Sequence, residues 1–116
     1  MKVYYADARR TVLVMASESI NPRQLLNYRD TAIARYLRDG PLAHGFNWGY
    51  VGDASLDLAY SILYDLAGES TANRYAEQFQ YTIIAGLPQG HDWHLFESDI
   101  QAALRRFEAM IGAAAS

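Results

Sequence analysis

Lys2-Val3-Tyr4-Tyr5 and Thr11-Val12-Leu13-Val14-Met15 are two short runs rich in Val, Tyr and Leu, joined by the polar stretch Ala6-Asp7-Ala8-Arg9-Arg10. Branched and aromatic side chains suit a pleated surface, and a polar link of that length is a hairpin connection. A β-hairpin is therefore expected at residues 2–15, followed by a small polar loop over Ala16 to Ile20. What comes after reads mainly as helix, which makes the fold class α+β and helix-dominated.

Asn21-Pro22-Arg23-Gln24 combines a capping side chain, a proline at the first helical position and Gln three residues after the cap. A helix is predicted from Pro22 to Asp39, with Gly40-Pro41 as its terminator, and Asp30 to Arg35 as its weakest part. Residues 41–52 hold closely spaced glycines together with Phe46, Trp48 and Tyr50, so an ordered, partly buried connection is expected. Three more helices complete a total of about four. One is capped by Asp53 or Ser55 and carries Leu56, Ala59, Tyr60, Leu63 and Leu66 to Gly68. The next is capped by Ser70 and presents Tyr75, Phe79 and Ile83 before Gly86 and Pro88. The last opens on the capping box Ser98-Asp99-Ile100-Gln101 and runs with Ala103, Leu104, Phe107 and Ile111 to Gly112. His91-Asp92-Trp93-His94-Leu95 is too short for a helix and is expected to be extended, a third short strand beside the hairpin. The whole of residues 1–116 reads as one domain, with Ala113 to Ser116 a frayed end.

The chain has 116 residues, 51% hydrophobic and 20% charged, with a formal net charge of −3, enough for one apolar core without staples. It contains no cysteine, which excludes thiol catalysis, thiolate metal sites and disulfides. Charges interrupt the N-terminal ten residues, and no later run approaches the ~18 apolar residues of a membrane span. A soluble, cytoplasmic protein is expected, with no membrane partner. Charge is split along the chain: residues 1–40 hold seven basic groups against four acidic ones, and residues 41–116 hold three against nine. That division reads either as ordinary solvated faces or as two faces meeting different partners.

No catalytic signature emerges. His91 and His94 are three apart and lack a helix to converge them with His44 or Asp92 on a metal, so no metal and no cofactor are expected. No serine lies in a Gly-x-Ser-x-Gly elbow, and the sole lysine, Lys2, is in no phosphate loop. Asp53 and Asp57, one helical turn apart, read as solvated surface. A pI near 5.5 argues against nucleic acid as a partner, while the acids of the C-terminal part leave open imitation of a phosphate backbone. The clearest signal is tyrosine with arginine, the chemistry of interface anchors. Tyr28, Arg29, Arg35, Tyr36 and Arg38 cluster on the first predicted helix and form the candidate binding surface. Tyr60, Tyr64, Tyr75 and Tyr81 sit instead at spacings that suit the core.

Gly45-Phe46-Asn47-Trp48-Gly49-Tyr50, then Gly52, the Leu56-Asp57-Leu58-Ala59 helix, Tyr75 and Phe79, Leu87-Pro88 and Trp93-His94-Leu95 resemble an uncharacterised domain family of bacteria and their phages. Its hallmark is a Gly-Phe-Glu-Trp-Gly-Tyr box leading into a Gly-Ser-Gly-Pro turn. The resemblance spans Gly45 to Phe107. Asn47 stands where the family has Glu, and Val51 to Ser55 replaces the turn. The box residues Phe46, Asn47, Trp48 and Tyr50 read as a structural plug before a ligand site, because the rings supply core area. The family carries no activity to transfer; it implies a setting among phages and mobile elements.

The leading expectation is a non-enzymatic protein-binding module, a phage or prophage accessory protein that inhibits a host defence complex such as a CRISPR effector. The alternative is a small-ligand or nucleotide binder that uses the aromatic box with an arginine clamp from Arg35 or Arg38. A homodimer is compatible with either.

Overall fold

The computed structural model describes residues 1–6, 12–16, 21–29 and 46–115. Among them, four strands form one antiparallel sheet: β1 (Lys2–Ala6), β2 (Val12–Ala16), β3 (Arg23–Gln24) and β4 (Trp93–Phe96). The helices are α1 (Asp53–Ala67), α2 (Glu69–Thr82) and α3 (Glu97–Ala115), with a single 3-10 turn at Ile84–Gly86. The α+β class, the hairpin and the strand at Trp93 are as the sequence implies.

Sheet order is β3-β2-β1-β4, so the first strand is central. β1 pairs with β2 through Tyr4↔Val14 and Ala6↔Val12, and with β4 through Tyr4↔Leu95 and Ala6↔Trp93. Alternation sends Tyr4, Ala6, Val12, Val14, Trp93 and Leu95 to one face, where all are buried. The helices bring Leu58, Ile62, Leu63, Phe79, Ile100 and Phe107 to the same cluster.

The predicted helix from Pro22 to Asp39 fails at its start. Arg23–Gln24 is a strand paired with Leu13 and Val14, the ladder continues with Leu25 N–H donating to Val12 O at 2.9 Å, and Tyr28-Arg29 is a turn. The cap signals were local, whereas the burial pattern alternates: Leu25 is fully buried and Leu26 is 57% exposed. A free ladder edge on β2 outweighs the cap. The Asn27 side chain accepts from Arg29 N–H at 3.1 Å, an Asx turn that ends the extended run. Residues 30–45 lie outside the described residues, as do Ala16–Ile20 beyond Ala16 itself and the hairpin connection beyond Ala6.

Helix starts also differ from expectation. Neither Asp53 nor Ser55 caps α1; Gly52 precedes it, and its N–H donates to the Gln80 side chain at 3.0 Å. Ser55 is instead buried, its hydroxyl without a hydrogen-bond partner. Gly68 replaces Ser70 as the junction with α2. Its N–H closes α1 on Tyr64 O, its carbonyl opens α2 at Ala72 N–H, and its φ of 94° is a conformation that glycine adopts cheaply. α3 begins at Glu97, one residue before the predicted Ser98 cap; the Asp99 carboxylate accepts from Phe96 N–H, and the helix passes through Gly112. Among the described residues three helices lie beside the sheet, and the remainder of the predicted first helix, residues 30–39, lies outside them.

Candidate interaction surface

One edge of α1 carries Asp57, Ser61 and Asp65, spaced four apart and so stacked along a single stripe. Each accepts a hydrogen bond from the N-terminal segment. Asp57, with its side chain 5% exposed, takes the Arg29 guanidinium at 2.6 Å and the Asn27 amide at 3.2 Å. Ser61 Oγ accepts from Tyr28 N–H at 3.0 Å. Asp65 takes the Tyr4 hydroxyl at 2.7 Å, Arg23 at 2.5 Å and Lys2 Nζ at 3.2 Å. Asp57 is thus a buried ion-pair partner, contrary to its expectation as solvated surface, while Asp53 is exposed.

The electrostatics of Asp65 are a balance. Burial alone would raise its pKa, but the bonds from Tyr4, Arg23 and Lys2 outweigh this and hold it below the usual carboxylate range. The Tyr4 phenol moves the other way: burial first, then its bond to the Asp65 anion, keeps it protonated far above the ordinary tyrosine value. Arg23 is held more firmly protonated by its bond to Asp65. This seam explains part of the charge division along the sequence, since Lys2, Arg23 and Arg29 of the basic N-terminal part each donate to an acid of α1, Arg29 through one nitrogen of its guanidinium.

Beside the seam, α1 and α2 fold back on one another and leave an open groove of about 340 Å³. Leu56 and Tyr60 line it from α1, Asn73, Arg74 and Glu77 from α2, and Arg29 from the N-terminal segment. The Tyr60 phenol is held above its ordinary value, chiefly by partial burial and then by Glu69, so it enters the groove as a neutral hydroxyl. Tyr28 and Tyr64 stack at 4.2 Å and support this wall.

Of the predicted surface cluster, Tyr28 and Arg29 reach this region. Tyr28 is half-buried against Tyr64, and Arg29 lines the groove with its side chain 38% exposed. Arg35, Tyr36 and Arg38 lie outside the described residues, as does His44. Tyr75 packs in the core, Tyr60 and Tyr64 against its margin, but Tyr81 is 62% exposed, a correction to its core assignment. The aromatic box sits elsewhere. Trp48 is 1% exposed, meets Trp93 edge-on at 5.6 Å and donates its indole N–H to Pro88 O. Asn47 accepts from Trp48 N–H through its own side chain, Phe46 packs on the core, and Tyr50 lies at the surface. Among the described residues, no three His, Asp or Glu side chains gather as a metal site needs, and no helix is long and apolar enough to cross a membrane.

The sequence reading missed Asp57, Asp65, Tyr4 and Arg74. A signal existed for the first two: polar residues at 57, 61 and 65 break the apolar stripe of α1 at helical period, which marks a polar contact at the core margin.

A four-stranded antiparallel sheet with helices packed on it, sewn by ion pairs along α1, defines a small α+β domain. The chain belongs to a family of unknown function, DUF6166, whose model matches residues 11–106. That match begins in the hairpin, well before the aromatic box. No curated protein and no solved structure matches the chain.

Proposed function

We propose that the chain is a non-enzymatic protein-binding module that receives an acidic segment of its partner in the groove between Arg29 and Arg74. The observation that carries this is the pairing of two arginines with the neutral Tyr60 hydroxyl and the Asn73 amide in one concave wall. Arginine and tyrosine lead the residues that anchor interfaces, because they combine large contact area with directional donors and few rotors. Arg29 is pre-oriented by Asp57, so it loses little freedom on binding, and Arg74 is exposed on α2. Glu77 on the same wall would repel a partner carboxylate placed on its side, which favours an approach nearer Arg29 and Arg74. The narrower expectation, inhibition of a host defence complex in the bacterial cytoplasm, draws on the resemblance alone and selects the lysates to be searched.

The test is capture from bacterial and phage-infected lysates with the wild-type protein and with Arg74→Glu and Tyr60→Ala, followed by crosslinking from a photoreactive residue at position 73. A partner retained by wild type, lost with either variant and crosslinked through an acidic segment supports the reading. Native mass spectrometry decides against it if the purified protein carries a small metabolite that Arg74→Glu releases. The groove volume falls at the lower end for ligand pockets, about 300 to 1,000 Å³, so that outcome has a physical basis.

A further inference from the structure

The groove carries an acid as well as its arginines. Arg74, Glu77 and Tyr81 follow one another along the outer flank of α2 at intervals of three and four, and all three are exposed, so they form one row. Arg74 and Glu77 line the groove, and Tyr81, 62% exposed, stands one turn beyond Glu77. Arg29 lines the groove too, with its charge offset by Asp57 at 2.6 Å. Among the described residues neither Arg74 nor Glu77 has an ion-pair partner. They do not pair with each other, since Arg74 lies with its guanidinium carbon 5.9 Å from the centre of the Tyr75 ring instead. The uncompensated charge of the groove is therefore one cation and one anion, about a helical turn apart.

We infer that the partner segment is dipolar: it brings an acid to Arg74 and, one turn away, a lysine or arginine to Glu77 and the Tyr81 ring. This rests on the reading of the groove as a protein-binding site and narrows the occupant from an acidic segment to one that carries both signs. Charge complementarity selects it. A wholly acidic segment would gain at Arg74 and lose at Glu77, whereas a segment with both signs gains at each. Tyr81 favours a base at that end, because an exposed ring one turn from a carboxylate can cover the aliphatic stem of lysine or arginine and attract its cation through the ring face. Ala72 and Ala76, one turn apart in the floor, are small enough to let a helix lie close. On such a helix the two partner charges stand three or four positions apart, which matches the spacing of Arg74 and Glu77 themselves.

Selection of a displayed library of helical peptides on the full chain tests this, with the affinities of recovered peptides read by fluorescence anisotropy at low salt. The wild type is expected to enrich sequences that pair an acid with a base three or four positions apart. Arg74→Glu and Glu77→Lys are each expected to weaken them roughly 10-fold, because each turns an attraction into a repulsion. Changing the peptide's base to glutamate should restore binding to Glu77→Lys and not to wild type, a rescue that a merely structural effect of the substitution would not give. Tyr81→Ala should weaken binding about 3-fold. Arg106→Glu, exposed on α3, should leave it unchanged. Circular dichroism verifies that each variant keeps its helices. Peptides that are acidic throughout, weakened by Arg74→Glu and indifferent to Glu77→Lys, overturn the dipolar partner while leaving the groove a binding site. A selection that yields no peptide sensitive to either substitution overturns both.

Discussion

Replacing Asp65 with alanine removes the acceptor that Tyr4, Arg23 and Lys2 share, and the three donors lose unequally. Tyr4 is fully buried, so its hydroxyl is left without water, at a cost of about 1–3 kcal/mol. Arg23 and Lys2, with side chains 49% and 30% exposed, turn to solvent, and each forfeits only about 0.5 kcal/mol. The expected total is about 3 kcal/mol, a large part of the stability of a small domain, and a melting temperature lower by roughly 12 °C. Tyr4→Phe deletes the donor instead and should cost about 1 kcal/mol. In the double variant the stranded hydroxyl no longer exists, so the combined loss should fall short of the sum by about 1 kcal/mol. Urea unfolding followed by circular dichroism measures all three. The pH dependence gives an independent reading. Because folding lowers the Asp65 value, its contribution is complete above the unfolded value near 4 and disappears as pH falls through the lower, folded one. Because folding raises the Tyr4 value, its contribution is complete below about pH 10 and is lost above it, and Tyr4→Phe should blunt that alkaline loss. A loss below about 1 kcal/mol in Asp65→Ala, or strict additivity with Tyr4→Phe, would refute the reasoning.

Trp48→Ala should cost about 3–5 kcal/mol in the same denaturation assay, since it empties a site sealed by Trp93 and strands the Pro88 carbonyl. Gly49→Ala should destabilise by about 1–3 kcal/mol, because φ is 82° and an added Cβ would stand 2.8 Å from Gln89 Cβ. Ser55→Ala should leave the melting temperature equal or higher, as it removes a buried hydroxyl that has no partner. Arg29→Ala should lower stability by about 2 kcal/mol by removing the cation that neutralises the buried Asp57 carboxylate, and adding Asp57→Asn should recover part of that loss in thermal unfolding.

Elements set by local pattern were legible in the residues themselves. Val12-Leu13-Val14 announced a strand, Tyr75 and Phe79 a helix face, and Trp93 to Leu95 an extended segment, because each carries its period in its own side chains. Asn21-Pro22 misled for the opposite reason: its cap signals are real, but the decisive partner is the backbone of Val12 to Val14, which no local window contains. The same distance hid the seam. Asp65 meets Lys2 and Tyr4 across more than 60 positions, so its role follows from sheet order and not from its neighbours. Tyr81 went astray at the helix end, where one residue's rotation decides between core and water. The groove was half visible: Arg29 drew notice as part of a basic, tyrosine-bearing segment, whereas Arg74 sat alone among polar residues and became notable only when α2 folded against α1.

The central position of β1 also has a consequence for biosynthesis. β1 is synthesised about ninety residues before its partner: it needs residues 93–96 to complete its hydrogen bonding, and its Lys2 amide is anchored by Glu97. Until that late segment emerges, the β1–β2 ribbon presents a raw edge and an unshielded inner surface, a state that invites chaperone capture and mispairing. Synonymous codons or pauses that slow translation before residue 93 should therefore reduce the yield of native protein more than pauses placed after it.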